Sequence, residues 1–374
     1  MKKKILFIIN SLEGGGAEKV LIDILKYFDY TRFDVELLLI WNTGVYMKDV
    51  PKEVKIRHIY SRYLSFSEKL NYVLFHKFGL LCAYKYCIRS KISKRYDTII
   101  SFLEGFSLFY HQYVIDKADK NISWIHTDLF NNNYNIGCIF PEEQKRWIYE
   151  KLDAIVCVSN DAKKQFERAY PDNTTKKFVI LNPIDYDYIS NYKKEYICDS
   201  NDKQFEIVTV GRLVLVKAYD RLIRLAKRLR EENYNFHITI IGEGSERDKL
   251  EGLIANYGLQ NYVSLPGFFK PPYSQMANAN LFISVSESEA FSLVLCEAFC
   301  LGLPVISTKT TGPIELIDND KYGILVNHDD ESIYQAVKRM IDDEQLRLHY
   351  HNMSLKRTKI FNIKETIKQV YNVL

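Results

Sequence analysis

The stretch SEAFSLVLCE, from Ser288 to Glu297, runs on through CLGLPVIS, from Cys300 to Ser307, near the end of a chain of 374 residues. This order of residues predicts a turn, a buried helix and a strand. One carboxylate, Glu289, falls in the loop before the helix, and the other, Glu297, falls inside it. Since a helix has about 3.6 residues per turn, the two lie roughly two turns apart. Glu289 can therefore point from the loop into a ligand-binding cleft.

Composition is that of an ordinary globular protein. Hydrophobic residues make up 47% and charged residues 26% of the sequence, which supplies core material for two domains or slightly more. A net charge of +4 does not indicate a nucleic-acid-binding surface, so no nucleic-acid partner is expected.

The expected location is the cytoplasm. The apolar run 5–9 resembles the core of a signal peptide, but it is short and ends at Asn10, so a buried strand explains it better. No uncharged apolar stretch of about 18 residues occurs, and no transmembrane helix is predicted. The seven cysteines include no Cys-x-x-Cys pair and are interpreted as reduced thiols.

Two series of alternating strands and helices are predicted, separated by a polar, Tyr-rich linker at 182–202. The strands predicted in the first series are 5–9, 35–40, 98–102, 122–125, 154–158 and 178–181. Those predicted in the second are 205–210, 236–241, 263–265, 281–285, 305–307 and 324–326, with helices at about 218–230, 245–257, 291–301 and 330–343. Such alternation indicates two doubly wound α/β domains with parallel sheets, which bind ligands at the carboxyl ends of their strands.

Two cations follow the first strand of the second series. Gly211 and Arg212 end that strand, and Lys217 lies five residues after Arg212. Arginine presents a planar fork of donors and lysine a compact charge, and together they suit a diphosphate. The alternative is a solvated basic loop, but the position at the end of a strand favours an anionic ligand.

Glycines follow two other predicted strands. In Gly242-Glu243-Gly244 they allow the backbone to approach a ligand closely, although a tight turn explains them equally well. Gly14-Gly15-Gly16 has neither the Gly-x-Gly-x-x-Gly spacing nor the Lys-Ser/Thr pair of a nucleotide-binding loop. A dinucleotide fingerprint is therefore not met, and a glycine-rich loop at the cleft is the interpretation left open.

His126 ends the predicted strand 122–125, where an imidazole can hold a sugar hydroxyl or polarise a phosphate. The alternative is a structural histidine, the commoner role of a lone histidine. The segment 290–293 is predicted to form the first turn of the Glu289–Glu297 helix, whose free amides favour a phosphate. No metal site is predicted, and Asp318-Asn319-Asp320 is interpreted as a polar turn.

These motifs resemble those of the retaining glycosyltransferases of family 4, the group 1 glycosyltransferases with the GT-B fold. In chain order the motifs are Gly15-Gly16-Ala17-Glu18-Lys19, Gly211-Arg212-Leu213 with Lys217, Ile241-Gly242-Glu243-Gly244, Leu265-Pro266-Gly267-Phe268, Glu289-Ala290-Phe291-Ser292-Leu293 with Glu297-Ala298, Gly302-Leu303-Pro304-Val305-Ile306 and Gly312-Pro313-Ile314-Glu315. The resemblance is specific across the second domain. In the first domain it rests on the glycine loop and His126.

The resemblance implies two Rossmann-like domains that face each other across a cleft. Residues 1–184 would bind the acceptor, with a C-terminal helix at 358–374 packing back on them, and residues 185–357 would bind a nucleotide-sugar. A UDP-sugar is the expected donor, because UDP is the commoner nucleotide in the family. The family needs no metal and no cofactor, and front-face attack with the departing phosphate as base is the favoured route to retention, because no second carboxylate stands out in the first domain.

The resemblance also implies a role for each matching residue. Arg212 and Lys217 would stabilise the diphosphate leaving group, Glu289 would bind the donor sugar and support the transition state, and Glu297 would hold the ribose. The catalytic set would be Glu289, Arg212, Lys217 and His126. The other residues implied at the donor are Gly15, Gly16, Gly211, Gly242, Glu243, Gly267, Phe268, Phe291, Ser292, Leu293 and Glu297.

Two positions depart from the family pattern. Ala218 and Ala290 stand where the family usually has glycine. If either backbone needs a positive φ, alanine there costs about 1 kcal/mol.

The segment 62–95 carries eight Lys/Arg and one acid among many aromatic residues. This composition is typical of an element that lies on a membrane surface, and the alternative is a core helix with a solvated basic face. Together with the resemblance it predicts a peripheral enzyme on the inner face of the cell membrane that extends a saccharide or lipid-linked glycan in bacterial surface polysaccharide or glycoconjugate synthesis. The alternatives are a non-catalytic glycosyltransferase-like subunit that binds a partner enzyme, or a GT-B sugar-nucleotide epimerase; a phosphorylase would need a pyridoxal-bearing lysine.

Overall fold

The computed structural model describes residues 2–66, 68–70, 72–73, 81–127, 129, 140–194 and 204–374. The chain divides into two compact units. Unit 1 comprises Met1–Pro183 and Lys364–Leu374, and unit 2 comprises Ile184–Ile363. The acceptor-binding and donor-binding roles stated above stay predictions.

A seven-stranded parallel sheet forms the centre of unit 1. In the order β3-β2-β1-β4-β5-β6-β7, its strands are Lys55–Ser61, Phe33–Asn42, Lys3–Ile9, Tyr96–Ser101, Ala118–Ile125, Ala154–Cys157 and Lys177–Val179. On β1, Ile5 pairs with Val35 of β2 on one side and with Thr98 of β4 on the other. The strand order therefore reverses between β1 and β4. Residues 5–9 are fully buried, as a parallel strand covered on both faces requires.

Sequence analysis missed β3. This strand lies at the edge of the sheet, and its first four residues, Lys55 to His58, are exposed or half-buried. An edge strand needs no continuous apolar run, so the pattern that identified the central strands was absent.

Helices cover the sheet of unit 1. Their bounds are Gly16–Lys26, Leu81–Lys91, Phe106–His111, Glu142–Lys151, Asn160–Ala169 and the terminal helix Ile363–Val373. The terminal helix packs through Tyr371, whose ring lies 5.0 Å from that of Phe33 and 5.3 Å from that of Phe28. The hydroxyl of Tyr371 accepts a hydrogen bond from the backbone N–H of Asp29 at 2.6 Å.

The predicted start of the terminal helix, residue 358, is wrong. The preceding helix, Glu344–Arg357, continues into a 3₁₀ turn at Thr358–Ile360, and the terminal helix begins at Ile363. Asn362 stands directly before it, and asparagine is among the residues that favour the position preceding a helix.

A six-stranded parallel sheet forms the centre of unit 2. In the order β10-β9-β8-β11-β12-β13, its strands are Val263–Gly267, Phe236–Ile241, Phe205–Val210, Leu281–Ser284, Val305–Thr308 and Ile324–Val326. The helices are Tyr186–Ser190, Asp220–Glu231, Arg247–Asn256, Tyr273–Met276, Leu293–Cys300, Thr311–Ile317, Asp330–Asp342 and Glu344–Arg357. Here the strand order reverses between β8 and β11.

The helix Asp220–Glu231 illustrates how the sequence builds this unit. Its apolar residues recur every three or four positions and are buried, whereas its charged residues face outward. The buried set is Leu222, Ile223, Leu225, Ala226 and Leu229. Each fully buried Leu or Ile contributes roughly 1.5–3 kcal/mol to folding, so this face holds the helix on the sheet.

Part of the predicted linker is structured. The helix Tyr186–Ser190 lies within 182–202. Its start is stabilised by the carboxylate of Asp185, which accepts a hydrogen bond from the backbone N–H of Tyr188 at 3.0 Å. Ile189 is buried, which anchors the helix to unit 2. Residues 195–203 lie outside the described residues.

The basic segment 62–95 is partly paired within unit 1. Arg89 makes two hydrogen bonds to Asp116, at 2.7 and 3.0 Å. Arg95 contacts Asp119, and Lys94 contacts the buried Glu36. Lys77 lies outside the described residues. No helix of the described part of the chain is long and apolar enough to cross a membrane.

Candidate functional site

The predicted site residues of unit 2 follow the carboxyl ends of its strands. Gly211 and Arg212 follow β8, and Glu289 lies in the loop after β11. These two strands are neighbours at the point where the strand order reverses, which is where open α/β sheets bind ligands. Gly211, Arg212, Lys217 and Glu289 are called the β8–β11 site below.

An ion pair lies at the centre of the β8–β11 site. The ammonium of Lys217 contacts Oε1 of Glu289, which also accepts a hydrogen bond from the hydroxyl of Ser286 at 3.3 Å. The side chains of Lys217 and Glu289 are only 21% and 16% exposed. Arg212 is exposed and forms no ion pair with any residue that the structure describes. The site therefore holds one neutralised cation and one uncompensated cation, which suits an anionic ligand.

Close backbone packing shapes the loop that carries Arg212. A Cβ atom on Gly242 would lie 1.9 Å from the carbonyl oxygen of Gly211, and one on Gly244 would lie 2.2 Å from that of Leu213. The N–H of Leu213 donates to the carbonyl of Glu243 at 2.9 Å. Gly242 and Gly244 therefore let the loops after β8 and β9 pack closely against each other.

The helix after Glu289 begins later than predicted. Its first residue is Leu293, and Ser292 precedes it in an extended conformation, so Ala290 and Phe291 belong to the loop. The first turn was placed wrongly because the N–H of Gly312 donates to the carbonyl of Glu289 at 2.7 Å, which holds the loop away from helical geometry. Phe291, Ser292 and Leu293 are buried.

Glu297 is buried in the middle of this helix. Its Oε1 accepts a hydrogen bond from the hydroxyl of Tyr273 at 3.2 Å, and both residues are only 3% exposed. The rings of Tyr188 and Tyr192 pack edge-on against Tyr273, at 6.0 and 5.5 Å between centroids. Sequence analysis missed this tyrosine, since nothing in its local pattern links it to Glu297.

The remaining predicted donor residues lie after β9 and β10. Glu243 makes two hydrogen bonds to Arg247, both at 2.9 Å, and this guanidinium holds the pKa of Glu243 below its usual range. Gly267 has a φ of 93°, and its carbonyl accepts from the N–H of Gly242 at 2.9 Å. Phe268 is 47% exposed, so its ring is free to pack against a ligand.

Ala218 adopts the left-handed conformation, with φ 49° and ψ 40°, whereas Ala290 is not among the residues with positive φ. The first departure from the family pattern therefore carries a conformational cost, and the second does not. The left-handed conformation costs alanine about 1–2 kcal/mol. Glycine avoids this cost, but it loses about 0.5–1 kcal/mol on folding because its unfolded backbone has greater freedom.

We expect Ala218→Gly to raise the stability of unit 2 by about 0.5–1 kcal/mol, or roughly 1–4 °C in unfolding temperature. Differential scanning calorimetry measures this shift. Ala290→Gly is the matched control and should leave the temperature unchanged or lower it. A lower unfolding temperature for Ala218→Gly would contradict the conformation described.

In unit 1, the side-chain carboxylate of Glu18 binds backbone N–H groups of the glycine loop. Glu18 accepts hydrogen bonds from the backbone N–H groups of Gly14, at 3.1 Å, and of Gly15. Gly16 is the first residue of the following helix. A phosphate at this loop would have to displace Glu18. In the structure, the backbone N–H of Gly15 donates to Glu18 and so stabilises the start of the helix.

His126 directly follows β5. Its ring packs against Phe102, 4.9 Å between centroids, and its Nε2 is buried with no hydrogen-bond partner among the described residues. Burial lowers the pKa of His126 to about 3, so the imidazole is neutral at physiological pH. The backbone N–H of His126 donates to the buried Glu104 at 2.5 Å. Sequence analysis missed Glu104, although it follows the strand β4 by three residues.

A second buried histidine makes unit 1 sensitive to acid. His111 bonds to Ser101 and Asn121, and burial lowers its pKa to about 4. An unfolded histidine has a pKa of about 6.5. Between about pH 6.5 and 4 the unfolded chain therefore binds protons that the folded unit does not, and stability falls as pH falls. We expect each of His111 and His126 to remove about 1.4 kcal/mol between pH 7.5 and 5.5.

Urea unfolding followed by tryptophan fluorescence measures this loss. All three tryptophans, Trp41, Trp124 and Trp147, belong to unit 1. His111→Asn should lose about 1.4 kcal/mol less on acidification than the wild type, and the exposed His349→Asn should match the wild type. Burial raises the pKa of Glu104, whose proton uptake opposes the loss in all three proteins and cancels in the comparison. An unchanged pH dependence in His111→Asn would contradict the assignment.

Among the described residues, no group of three or more His, Cys, Asp or Glu side chains is arranged to hold a metal ion.

Known proteins resemble this chain in sequence and in fold. The family "Glycosyl transferases group 1" matches residues 193–357, the segment that contains the whole β8–β11 site. An N-acetylgalactosaminyltransferase of Campylobacter jejuni that acts on N-acetylgalactosamine-N,N'-diacetylbacillosaminyl-diphospho-undecaprenol is 33% identical over 58% of this chain and 58% of its own length. An uncharacterized glycosyltransferase of Methanocaldococcus jannaschii is 29% identical over 60% of this chain and 64% of its own length. The chain thus spans 58% and 64% of these curated relatives.

The crystal structure of Anabaena HepE in complex with UDP and glucose superposes with a TM-score of 0.77 at 20% identity, covering 99% of this chain and 98% of that one. A sucrose-phosphate synthase of Thermosynechococcus elongatus superposes with the same score at 16% identity, covering 100% and 98%. At these identities the likeness concerns the fold alone. The chain has the GT-B fold, and its residues 193–357 match the group 1 glycosyltransferase family.

Proposed function

We propose that this protein transfers a sugar from a nucleotide-sugar, with retention of configuration, to a saccharide or lipid-linked glycan in the synthesis of bacterial surface polysaccharide or glycoconjugates. The observation that carries the proposal is the β8–β11 site. Its Lys217–Glu289 ion pair and the exposed Arg212 stand where an α/β sheet binds ligands, inside the segment that matches the family.

In the proposed reaction the bond between the anomeric carbon and the diphosphate oxygen breaks, and the diphosphate leaves with its electron pair. Arg212 and Lys217 stabilise the charge that develops on this leaving group, so no metal is required. The acceptor hydroxyl attacks the same face of the sugar, and its proton passes to the departing phosphate. Glu289 supports the positive charge that develops on the sugar ring.

A UDP-sugar is the proposed donor. Support comes from the complexes of Anabaena HepE with UDP and with UDP-glucose, a protein of the same fold. Glu297, fixed by Tyr273, is proposed to hold the ribose hydroxyls, and the exposed ring of Phe268 is proposed to border the base. Both assignments follow from the family resemblance.

The proposed acceptor is linked to a lipid and reached at a membrane surface. The Campylobacter relative acts on a diphospho-undecaprenol-linked saccharide. In unit 1, Tyr63 and Phe66 are 83% and 84% exposed, and Tyr86 and Lys85 are exposed on the helix Leu81–Lys91. Exposed aromatic rings together with an exposed lysine suit the interface of an anionic membrane. Arg89, Lys94 and Arg95 contribute less, because acids of unit 1 already pair with them.

A nucleotide screen tests the proposed function. UDP, GDP and ADP, each with and without a glucose or N-acetylhexosamine, are added in turn, and the unfolding of unit 2 is followed by calorimetry. We expect UDP and at least one UDP-sugar to raise its unfolding temperature. Nucleotide binding without any turnover would favour the non-catalytic subunit, and the absence of stabilisation by every nucleotide would overturn the enzyme assignment.

Co-sedimentation with vesicles tests the membrane contact separately. The protein should sediment with vesicles of phosphatidylcholine and phosphatidylglycerol, and a variant carrying Tyr63→Ser and Phe66→Ser should remain in solution. Arg89→Gln, which removes a cation that is already paired, should bind vesicles almost as well as the wild type. Undiminished sedimentation of the Tyr63→Ser, Phe66→Ser variant would contradict this contact surface.

A further inference from the structure

The loop after β4 is hydrogen-bonded to the turn that contains His126. Oε1 of Glu104 accepts three hydrogen bonds from this turn: from the N–H of His126 at 2.5 Å, from the N–H of Thr127 at 2.7 Å and from the hydroxyl of Thr127 at 3.0 Å. Glu104 is only 5% exposed. Three donors on one buried oxygen fix the backbone on both sides of the imidazole, since each lost bond would leave a buried polar group unsatisfied.

The same loop also contacts the imidazole ring. Phe102, two residues before Glu104, lies 4.9 Å from the ring of His126. Gly105, directly after Glu104, has a φ of 72°, a conformation that allows the chain to turn away at this point. The loop therefore holds His126 through its backbone and through its ring.

Glu104 and His126 lie on the side of unit 1 that is expected to bind ligands. They follow the neighbouring strands β4 and β5, next to the point where the strand order reverses between β1 and β4. The imidazole is neutral, and its Nε2 has no partner among the described residues. A neutral imidazole nitrogen of this kind can bind a hydroxyl group, and its direction depends on the turn that Glu104 holds.

We propose that Glu104 is a positioning residue, which fixes the His126–Thr127 turn so that the imidazole meets a hydroxyl group of a saccharide substrate. This inference rests on the proposed function. Oε1 of Glu104 is committed to this turn, and Oε2 is buried without a partner among the described residues. A displacement of about 1 Å at a reacting group can cost about 10²-fold in rate, which is the scale on which such a residue matters.

The consequences for turnover differ from those for nucleotide binding. Glu104→Ala should lower kcat/KM for the UDP-sugar by about 10- to 100-fold and leave the Kd for UDP unchanged, because the nucleotide is assigned to unit 2. Glu104→Gln keeps an oxygen that accepts the three hydrogen bonds, so its turnover should stay within about 3-fold of the wild type. Thr127→Val, which removes one of the three bonds, should fall between the two.

A double-mutant cycle with His126→Ala tests the inference. The probe is release of UDP from UDP-glucose, UDP-N-acetylglucosamine or UDP-N-acetylgalactosamine, whichever the nucleotide screen selects. If Glu104 acts through His126, the double variant should be no more than about 3-fold slower than His126→Ala alone. Losses that multiply, or normal turnover of Glu104→Ala, would overturn the positioning role.

Folding of the variants and UDP release by the wild type are measured as controls. Tryptophan fluorescence reports whether unit 1 of each variant is folded, and if Glu104→Ala does not fold, Thr127→Val carries the test: undiminished turnover of this variant would overturn the inference. A wild-type protein that releases no UDP from any sugar would contradict the proposed function, whereas a wild-type enzyme with unaffected variants would contradict only the role of Glu104.

Discussion

Replacing Glu289 with glutamine is expected to lower sugar transfer by about 10²–10³-fold, the usual loss when one group that stabilises charge in the transition state is removed. Nucleotide affinity should stay the same or rise slightly. In the structure Glu289 neutralises the ammonium of Lys217, so Glu289→Gln frees this cation for the diphosphate. Steady-state turnover of the UDP-sugar and calorimetric titration with UDP measure the two effects.

The matched control is Glu231→Gln, which removes an exposed carboxylate of unit 2 whose nearest cation is Lys227 at 3.9 Å. It should change neither turnover nor UDP affinity. Normal turnover of Glu289→Gln would refute the catalytic role of Glu289. A fall in UDP affinity of about 10-fold or more, equivalent to about 1.4 kcal/mol, would assign Glu289 to nucleotide binding instead.

Lys217→Met should have the opposite signature, with a strong loss of nucleotide affinity. The substitution removes a cation and leaves the largely buried Glu289 without its partner beside the proposed diphosphate. Breaking such a pair costs several kcal/mol because one charge stays uncompensated. We expect the Kd for UDP to rise by about 10- to 100-fold, or about 1.4–2.8 kcal/mol, and kcat to fall as well.

The variant that combines Lys217→Met with Glu289→Gln tests the physical reason. Removing the stranded carboxylate should restore part of the UDP affinity that Lys217→Met loses. Lys249→Met is the control, since Lys249 forms an exposed ion pair with Glu246 at 2.8 Å and is not one of the residues of the β8–β11 site. If the combined variant binds UDP more weakly than Lys217→Met alone, repulsion by Glu289 is not the cause.

The parallel sheets could be predicted because their central strands consist of continuous runs of apolar residues. The run 5–9 is fully buried in β1, and the strand predicted at 236–241 coincides with β9. The edge strand Lys55–Ser61 could not be found this way, since one of its sides faces no neighbouring strand. Helix starts were also uncertain: the Gly312–Glu289 hydrogen bond, which delays the helix at Leu293, joins residues far apart in sequence.

The residues of the candidate site could be predicted from the sequence, but the contacts between them could not. Spacing placed Lys217 near Arg212 and Glu289 before a helix, but it could not reveal that Lys217 and Glu289 meet, because 72 residues separate them. The same limit hid the contact between Tyr273 and Glu297. Glu104 escaped notice for another reason: a lone acid after a strand has no local signature, and its three hydrogen bonds come from the turn after a different strand.

Sugar transfer at the β8–β11 site is measured most directly by the release of UDP from a UDP-sugar in the presence of a lipid-linked saccharide. The wild-type protein should release UDP and join the sugar to the acceptor, while Glu289→Gln should release it about 10²–10³-fold more slowly with undiminished affinity for UDP. Equal rates for the two proteins, or release by neither of them, would contradict the account.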